Sequence, residues 1–312
     1  TINAGVVSIS ADSGLGGAPA SPIDSQLEFN SGTLNVTGST TLSANRGVTL
    51  GAGGGTFDIT SGTTTNIAGR ITGSGNLSLT SSGNGRLAPQ NTSNDFVGTL
   101  FITGGGSTIL NVNNGDSVLG NPANGITLNA SGTIQKSTTG GVTVGSGRTI
   151  TVGSGNTLSL EVSNSGGVLT LSGPVVGTGG AVVKTGPGSA ILGGGNTYTG
   201  DTTVSAGTLT LANGGSQGFV IGGTGVNNKI SGAGSLNLNG TLLLNLTGAG
   251  TTVGDSWTII DHAALAAENY GGTFAVTSTL GSFTNNAGNW TITENGVIYR
   301  FSQSTGVLSV VP

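Results

Sequence analysis

The sequence predicts an all-β chain that folds as a right-handed parallel β-helix (a β-solenoid) with a small antiparallel β cap at its C-terminus. Three observations predict it: short segments alternate apolar with polar residues, glycines precede these segments, and similar stretches recur about a hundred residues apart. Of the 312 residues, 62 are Gly, 34% are hydrophobic and 6% are charged. A disordered chain would combine low hydrophobicity with high net charge, so this composition favours a folded protein.

Strand-length alternation runs through most of the chain. Gly32–Val36, Gly75–Leu79 and Gly207–Leu211 share one form, in which a glycine precedes alternating apolar and polar residues. Period-two alternation places the apolar side chains on one face of a strand, and the glycine marks a corner. The candidate for helix is Asp261–Glu268, a short segment of one or two turns.

A longer repeat is superimposed on the strands. Ser31–Leu34 recurs as Ser131–Ile134 and Val48–Gly51 recurs as Ile150–Gly153, at offsets of 100 and 102 residues. Self-similarity at a fixed period is the sequence signature of repeat architectures. We expect a solenoid over 1–253, built from two units at about 1–104 and 105–206 plus further coils, and an aromatic-rich cap over 254–312.

The alternative all-β fold is a set of antiparallel sandwich domains of about a hundred residues each. Sandwich domains usually carry buried aromatic anchors, whereas Trp257 and Trp290 both lie in the C-terminal region. A narrow solenoid interior excludes bulky rings and charges, and its tight corners favour glycine. The composition therefore favours the solenoid.

The C-terminal region has the features of a cap. Trp290–Thr293 and Val297–Phe301 flank Asn295-Gly296, and Asn-Gly is typical of a two-residue β-hairpin turn. The last coil of a solenoid exposes apolar interior and strand edges, which a cap would cover. We expect the N-terminal coil, which begins near Ile2, to be uncapped and open to strand addition.

Residues 181–215 contain three short motifs, Lys184-Thr185-Gly186, Asn196-Thr197-Tyr198 and Ala206–Leu209. Together they resemble the autotransporter-associated β-strand repeat, and a degenerate copy covers about 71–110. The stretch Val297–Pro312 resembles the region just before a PEP-CTERM sorting signal. The resemblance implies an exported, passenger-like β-helix at a bacterial cell surface, a class in which most members have no catalytic activity.

Composition excludes several classes of function. The net charge is −4 and eight Lys and Arg are scattered along the chain, so no basic face for nucleic acid is expected. The sequence contains no run of about 18 apolar residues, so no membrane-spanning helix is expected. The absence of Cys excludes thiolate metal sites. No positively charged start precedes an apolar stretch, so we expect a signal peptide to be absent from this chain. We predict no enzyme, no cofactor and no metal.

Two sets of residues are candidates for catalysis. A polysaccharide lyase or hydrolase needs carboxylates that converge on one face, and the closest acidic pair is Asp24 with Glu28. Their even spacing would put both on one strand face, but Pro22 and neighbouring Ser predict a loop and two solvated carboxylates. The single His, His262, has no nucleophile on a sharp strand-to-helix turn, so we expect a capping or surface residue.

Two further motifs are candidate binding sites. Gly222–Asn227 is similar to a calcium-binding nonapeptide, but it occurs once and has Asn where the ligand Asp is needed. Tyr198 could stack on a sugar, with Asn196 beside it. We favour structural roles for both, with Tyr198 against the coil edge and Asn196 in a corner or ladder hydrogen bond.

Three functions compete. The leading hypothesis is a secreted structural protein, an extracellular stalk, matrix or filament subunit that associates head to tail through the N-terminal coil and the C-terminal cap. The alternative is a carbohydrate-binding adhesin module of a longer passenger, with surface glycans as partners. A polysaccharide-degrading enzyme is the third, and the scattered carboxylates disfavour it.

Overall fold

The computed structural model describes residues 1–105 and 107–312 and forms a three-sided parallel solenoid of about 10 turns. The chain visits the three sides in a fixed order, and along most of each side every strand pairs in parallel with strands of the neighbouring coils. An antiparallel sheet follows at the C-terminus. The predicted fold class, a parallel solenoid with an antiparallel cap, is confirmed.

The strands are grouped here by side, called the first, second and third face. The first face holds Val6–Ile9, Gly32–Val36, Gly55–Ile59, Leu77–Thr80, Leu100–Ile102, Ile126–Leu128, Ile150–Val152 and Val175–Val176, then Gly195–Asn196, Ser216–Val220, Thr241–Asn245 and Ala275–Ser278. The second face holds Thr40–Leu42, Thr64–Ile67, Arg86–Pro89, Thr108–Asn111, Gly132–Lys136, Thr157–Val162, Ala181–Thr185, Thr202–Val204 and Ile230–Ser231. The third face holds Ile23–Phe29, Arg46–Leu50 and Ile71–Gly73, then Gly140–Val144, Gly167–Leu171, Ser189–Leu192, Thr208–Leu211, Ser235–Leu238 and Ala267–Tyr270.

Between its two groups of strands the third face continues through loop backbone. Val97 N donates to Gly73 O (2.8 Å), and Asn121 N donates to Phe96 O (3.0 Å). The two described helices are single 3-10 turns, Asp12–Leu15 and Asp116–Leu119. Among the described residues there is no helix of the length and apolarity needed to cross a bilayer.

The core is a set of apolar ladders inside the coil. On the first face each inward side chain stacks on its register partner in the next coil, and the longest such ladder is Leu34, Phe57, Leu79, Ile102, Leu128 and Val152. Each of these side chains is at most 1% exposed. Burial of apolar side chains is the main favourable term in folding, so the period-two alternation determines which side of each strand faces inward.

Coil length is irregular. Ser189 pairs with Thr208 while Thr241 pairs with Ala275, so one coil takes between 19 and 34 residues. Corners bring successive coils into close contact where glycine is required. A Cβ on Gly75 would lie 1.9 Å from the carbonyl oxygen of Gly51 in the preceding coil, which no other residue type could accommodate without a backbone shift.

The two copies of each repeated sequence motif lie on successive faces of the solenoid and not on the same face. Ser31–Leu34 enters the first face, whereas its counterpart Ser131–Ile134 enters the second face. Likewise Val48–Gly51 follows the third face and Ile150–Gly153 the first. A hundred residues therefore span four coils and one further strand, and equivalent motifs point in different directions from the rod. The division into units at 1–104 and 105–206 stays a prediction.

The C-terminal sheet consists of Ser256–Thr258, Val307–Val311, Val297–Ser302, Asn289–Glu294 and Thr284–Asn286, all antiparallel. The predicted hairpin is confirmed, since Glu294 pairs with Val297 across a turn in which Asn295 (φ 52°) and Gly296 (φ 81°) are both left-handed. These φ angles are those of a type I′ turn. The short strand Gly281–Ser282 also pairs antiparallel, with Ala275–Ser278.

The predicted short helix at Asp261–Glu268 is wrong. This segment is a turn followed by the strand Ala267–Tyr270, which adds in parallel to Ser235–Leu238 of the third face. The alanine-rich stretch favours helix by local propensity, but pairing with an open sheet edge satisfies the same backbone groups. Two solenoid strands thus lie within the region predicted as cap.

Candidate functional site

Lys184, in the best-defined motif of the sequence, points into the core. It stands between Leu160 and Val204 in the inward ladder of the second face and is fully buried. Its Nζ donates to Thr185 O (2.6 Å) and Gly186 O (2.8 Å) at the corner to the third face. Burial lowers the pKa of the Lys184 amine to about 8, with the nearby charge of Glu161 opposing the shift. The lysine thus ties the corner carbonyls and is not available to a ligand.

Asn196 joins the two sheets of the first face. Its Oδ1 accepts a hydrogen bond from Val175 N (3.0 Å), and its Nδ2 donates to Gly194 O (3.0 Å) and Ser216 O (2.9 Å). The side chain is 1% exposed. The Asn196 amide thus supplies hydrogen bonds to the backbone at a point where the strands Val175–Val176 and Gly195–Asn196 are only two residues long.

Tyr198 is buried to the same degree, with 1% of its surface exposed. Its hydroxyl shares a hydrogen bond with Thr202 Oγ1 (2.6 Å), and burial raises the pKa of the phenol well above its usual value. The ring has no free face on which a sugar could stack. The recognised motif therefore packs inward at each of its three main side chains.

The comparison with known families falls on this segment. Residues 182–211 match the passenger-associated-transport-repeat. The repeat recognised from Lys184, Asn196 and Tyr198 is thus confirmed, and the solenoid around it is consistent with an autotransporter passenger-like β-helix. No curated protein matches the chain.

Asp24 and Glu28 do not form a pair. Both lie in the strand Ile23–Phe29, so the predicted loop is wrong, but the register shifts between Ile23 and Leu27. Asp24 Oδ2 pairs with Arg70 Nη1 (2.8 Å), and Arg70 also pairs with Asp95. Glu28 instead accepts a hydrogen bond from Thr1 Oγ1 (2.7 Å).

His262 is more enclosed than a surface residue, with its side chain 18% exposed. Its Nδ1 lies 3.1 Å from Glu268 Oε1, and its Nε2 lies 3.2 Å from the Tyr270 hydroxyl. Burial and the charge of Glu268 raise the pKa of Tyr270, which disfavours a tyrosinate nucleophile. The three residues connect the turn after the second face to the last strand of the third.

The Gly222–Asn227 segment closes on itself. Ile221 and Asn227 form an antiparallel bridge, and Asn227 Nδ2 donates to Asn228 O (2.8 Å) and Thr258 O (2.7 Å). The amide thus presents its donor side to the carbonyls around it. Across residues 1–105 and 107–312 no group of three or more His, Cys, Asp or Glu could hold a metal ion.

Sequence reasoning missed two buried arginines. Arg46 is 1% exposed, and its guanidinium donates to Asp12 Oδ1 (2.9 Å) and Gly16 O (2.8 Å) at the first 3-10 turn. Arg148 is also 1% exposed, and its Nε donates to Asp116 Oδ1 (2.6 Å) at the second turn. Each arginine clamps a helical turn that replaces a strand.

A sequence signal for these clamps exists. Asp12-Ser13-Gly14-Leu15-Gly16 recurs as Asp116-Ser117-Val118-Leu119-Gly120, and the arginines follow at nearly the same offset. An Asp and an Arg that recur together in a chain so poor in charge predict a paired, buried role, because lone charges are rarely buried. These two basic residues, scattered in sequence, are thus each paired in the structure.

The outer surface of the second face carries a polar network. Asn111 Nδ2 donates to Gln135 Oε1 (3.0 Å), and Gln135 Nε2 donates to Glu161 Oε2 (2.9 Å) across three neighbouring strands. Asn111 and Gln135 are 4% and 2% exposed although they point away from the core. The second face therefore has buried polar side chains on its outer surface, outside the solenoid interior.

Proposed function

We propose that the chain is part of an exported passenger-type protein and serves as a non-catalytic structural rod, a stalk, matrix or filament subunit at a bacterial surface. One observation carries the proposal: the defining side chains of the matched repeat, Lys184, Asn196 and Tyr198, all serve the coil itself. A repeat whose signature residues face inward contributes to building and extending the coil.

The carboxylate pair considered for catalysis gives no support to an enzyme. Asp24 pairs with an arginine and Glu28 with a hydroxyl, whereas glycoside hydrolysis requires two carboxyl groups that face one bond. Incubation of the purified chain with pectate, alginate and other uronic polymers, followed by chromatography of the products, tests this part. Turnover that is lost in Asp24→Asn or Glu28→Gln would overturn it.

Association of rods end to end is the second part of the proposal. In the first coil Val6 is 68% exposed, Val7 39% and Ile23 43%, and the strand Val6–Ile9 pairs on one side only. Apolar strand edges of this kind favour strand addition. The C-terminal sheet of a second copy is the proposed partner, and a contact of this type does not close on itself.

Light scattering over a concentration series, with negative-stain micrographs at the highest concentration, tests the association. We expect filaments from the unmodified chain and isolated rods from Val6→Lys, because a charge on a strand edge opposes pairing. Val97→Lys is the matched control, since Val97 is 55% exposed in a loop on the third face, away from both ends of the rod. Isolated rods from the unmodified chain at every concentration would overturn the filament proposal.

A further inference from the structure

A cavity opens on the outer surface of the second face. Its volume is about 120 Å³, and the polar side chains around it are Thr64, Asn66, Arg86, Gln90, Asn111, Asn113, Asn114 and Ser137. Amides and hydroxyls make up this set apart from one guanidinium. The solenoid interior and the matched repeat use none of these side chains.

Arg86 is the unpaired charge of this cavity. It begins the strand Arg86–Pro89 and points outward between its ladder neighbours Thr64 and Ile109. Its Nε is buried and has no hydrogen-bond partner among residues 1–105 and 107–312. A guanidinium keeps its charge at all physiological pH values and carries five N–H donors. A buried donor without a partner is unfavourable unless a ligand or water completes it.

The other groups of the cavity add donors. Ser137 Oγ accepts hydrogen bonds from Asn111 Nδ2 (3.2 Å) and Asn113 Nδ2 (2.9 Å). With both lone pairs occupied, the Ser137 hydroxyl keeps its own proton as a donor. Asn113 Oδ1 accepts from Ser137 N (2.8 Å), and among the described residues Arg86 Nε has no bond to it.

The carboxylate on the same face is engaged elsewhere. Glu161 accepts from Gln135 Nε2 (2.9 Å) and from Ser163 Oγ (2.8 Å). The arginines that form ion pairs among the described residues are Arg46, Arg70 and Arg148. Arg86 thus keeps a positive charge and N–H donors that are available for bonding. Both features suit an anionic ligand with oxygen acceptors.

We propose that this cavity binds the carboxylate of a uronic-acid unit in an acidic polysaccharide. Arg86 forms the charge-assisted, bidentate contact that guanidinium makes with carboxylate, and the Ser137 hydroxyl with the Gln90 amide binds neighbouring sugar hydroxyls. A highly acidic peptide would need several positive charges, and the cavity has one. A polymer fits the surroundings, since the same face also carries a separate open depression of about 230 Å³, whose lining includes Thr133 and Ser159.

Titration calorimetry on the full chain at low salt, with hexagalacturonate as the probe, tests the site. We expect binding that is lost when the probe is fully methyl-esterified and that weakens as salt is added. Arg86→Gln should weaken binding about tenfold to a hundredfold, the range for a hydrogen bond to a charged group. Arg300→Gln is the matched control, because Arg300 is exposed in the C-terminal sheet and its loss changes the net charge equally.

Three results would overturn the proposal: no binding of hexagalacturonate at millimolar concentration, equal binding by Arg86→Gln, or equal binding of an oligoglutamate with the same number of carboxylates. Binding of a sulfated polysaccharide in place of the uronate would overturn the carboxylate assignment. If circular dichroism shows that Arg86→Gln is unfolded, Ser137→Ala and Arg86→Lys replace it. Both should weaken binding, the first by removing a donor and the second by removing the bidentate geometry.

Discussion

Arg148→Gln is the most direct test of the buried arginine clamps. The guanidinium of Arg148 donates to Asp116 Oδ1 (2.6 Å) and to four backbone carbonyls, those of Asp116 (3.1 Å), Gly120 (3.0 Å), Asn121 (3.0 Å) and Asn124 (3.1 Å). A glutamine is shorter and uncharged. It would leave the Asp116 carboxylate and most of these carbonyls without their donor.

The magnitude follows from burial. Arg148 has none of its side chain exposed and Asp116 has 25%, so water reaches one partner but not the other. Removing one member of a buried ion pair costs about 3–5 kcal/mol. Because Asp116 keeps partial access to solvent, we expect the lower end, about 3 kcal/mol. The second 3-10 turn and the strand Ile150–Val152 should loosen first, since the clamp joins them.

Arg70→Gln is the control. It removes the same charge, but Arg70 is 36% exposed and its partners Asp24 and Asp95 are 49% and 52% exposed, and exposed ion pairs contribute little to stability. Urea denaturation followed by circular dichroism compares the two midpoints, and hydrogen exchange of the Val118 and Leu119 amides locates the change. Equal midpoints, with unchanged exchange at the turn, would refute the clamp argument.

Three further predictions concern the coil. The Lys184 amine keeps its proton to about pH 10.5 in the unfolded chain but releases it near pH 8 in the folded chain. The unfolded chain therefore binds more protons between these values, and the free energy of unfolding should rise from pH 8 to 9.5, by at most about 1.4 kcal/mol per pH unit. Urea midpoints of Lys184→Met, measured over the same pH range, should lack this rise. Asn196→Ala removes the acceptor of the Val175 amide (3.0 Å), so exchange of that amide should accelerate, and unchanged exchange would contradict the bridging role. Gly75→Ala forces a Cβ to 1.9 Å from a carbonyl oxygen, whereas Gly141→Ala meets nothing within 4 Å; only the first should lower the melting temperature, by an overpacking cost of about 1–3 kcal/mol or more.

The local sequence pattern, alternation and turn residues, was enough to predict the solenoid architecture. The alternation in Gly32–Val36 and its equivalents predicted strands with one buried side, and the structure buries the residues expected. The Asn295-Gly296 pair predicted its hairpin because few residues tolerate two successive positive φ angles. The match to the passenger-associated-transport-repeat at 182–211 rests on a motif that the residues themselves displayed.

Local pattern failed where a distant strand decided the outcome. Asp261–Glu268 had helical composition, yet Ala267–Tyr270 became a strand because Ser235–Leu238 offered an unpaired edge. Asp24 and Glu28 had the spacing of one strand face, yet a register shift and an arginine from another coil, Arg70, separated their environments.

The sequence by itself determined most of the strands with their inward sides, the glycine corners before them and the hairpin, because each depends on residues within one strand or turn. The tertiary structure alone decided which motifs share a face, because coils of 19 to 34 residues accumulate an offset that no local pattern records. The same winding buries Arg148 against Asp116, and among the described residues it leaves Arg86 Nε on the second face without a partner. Whether a charge is clamped or free depends on which coil lies against it.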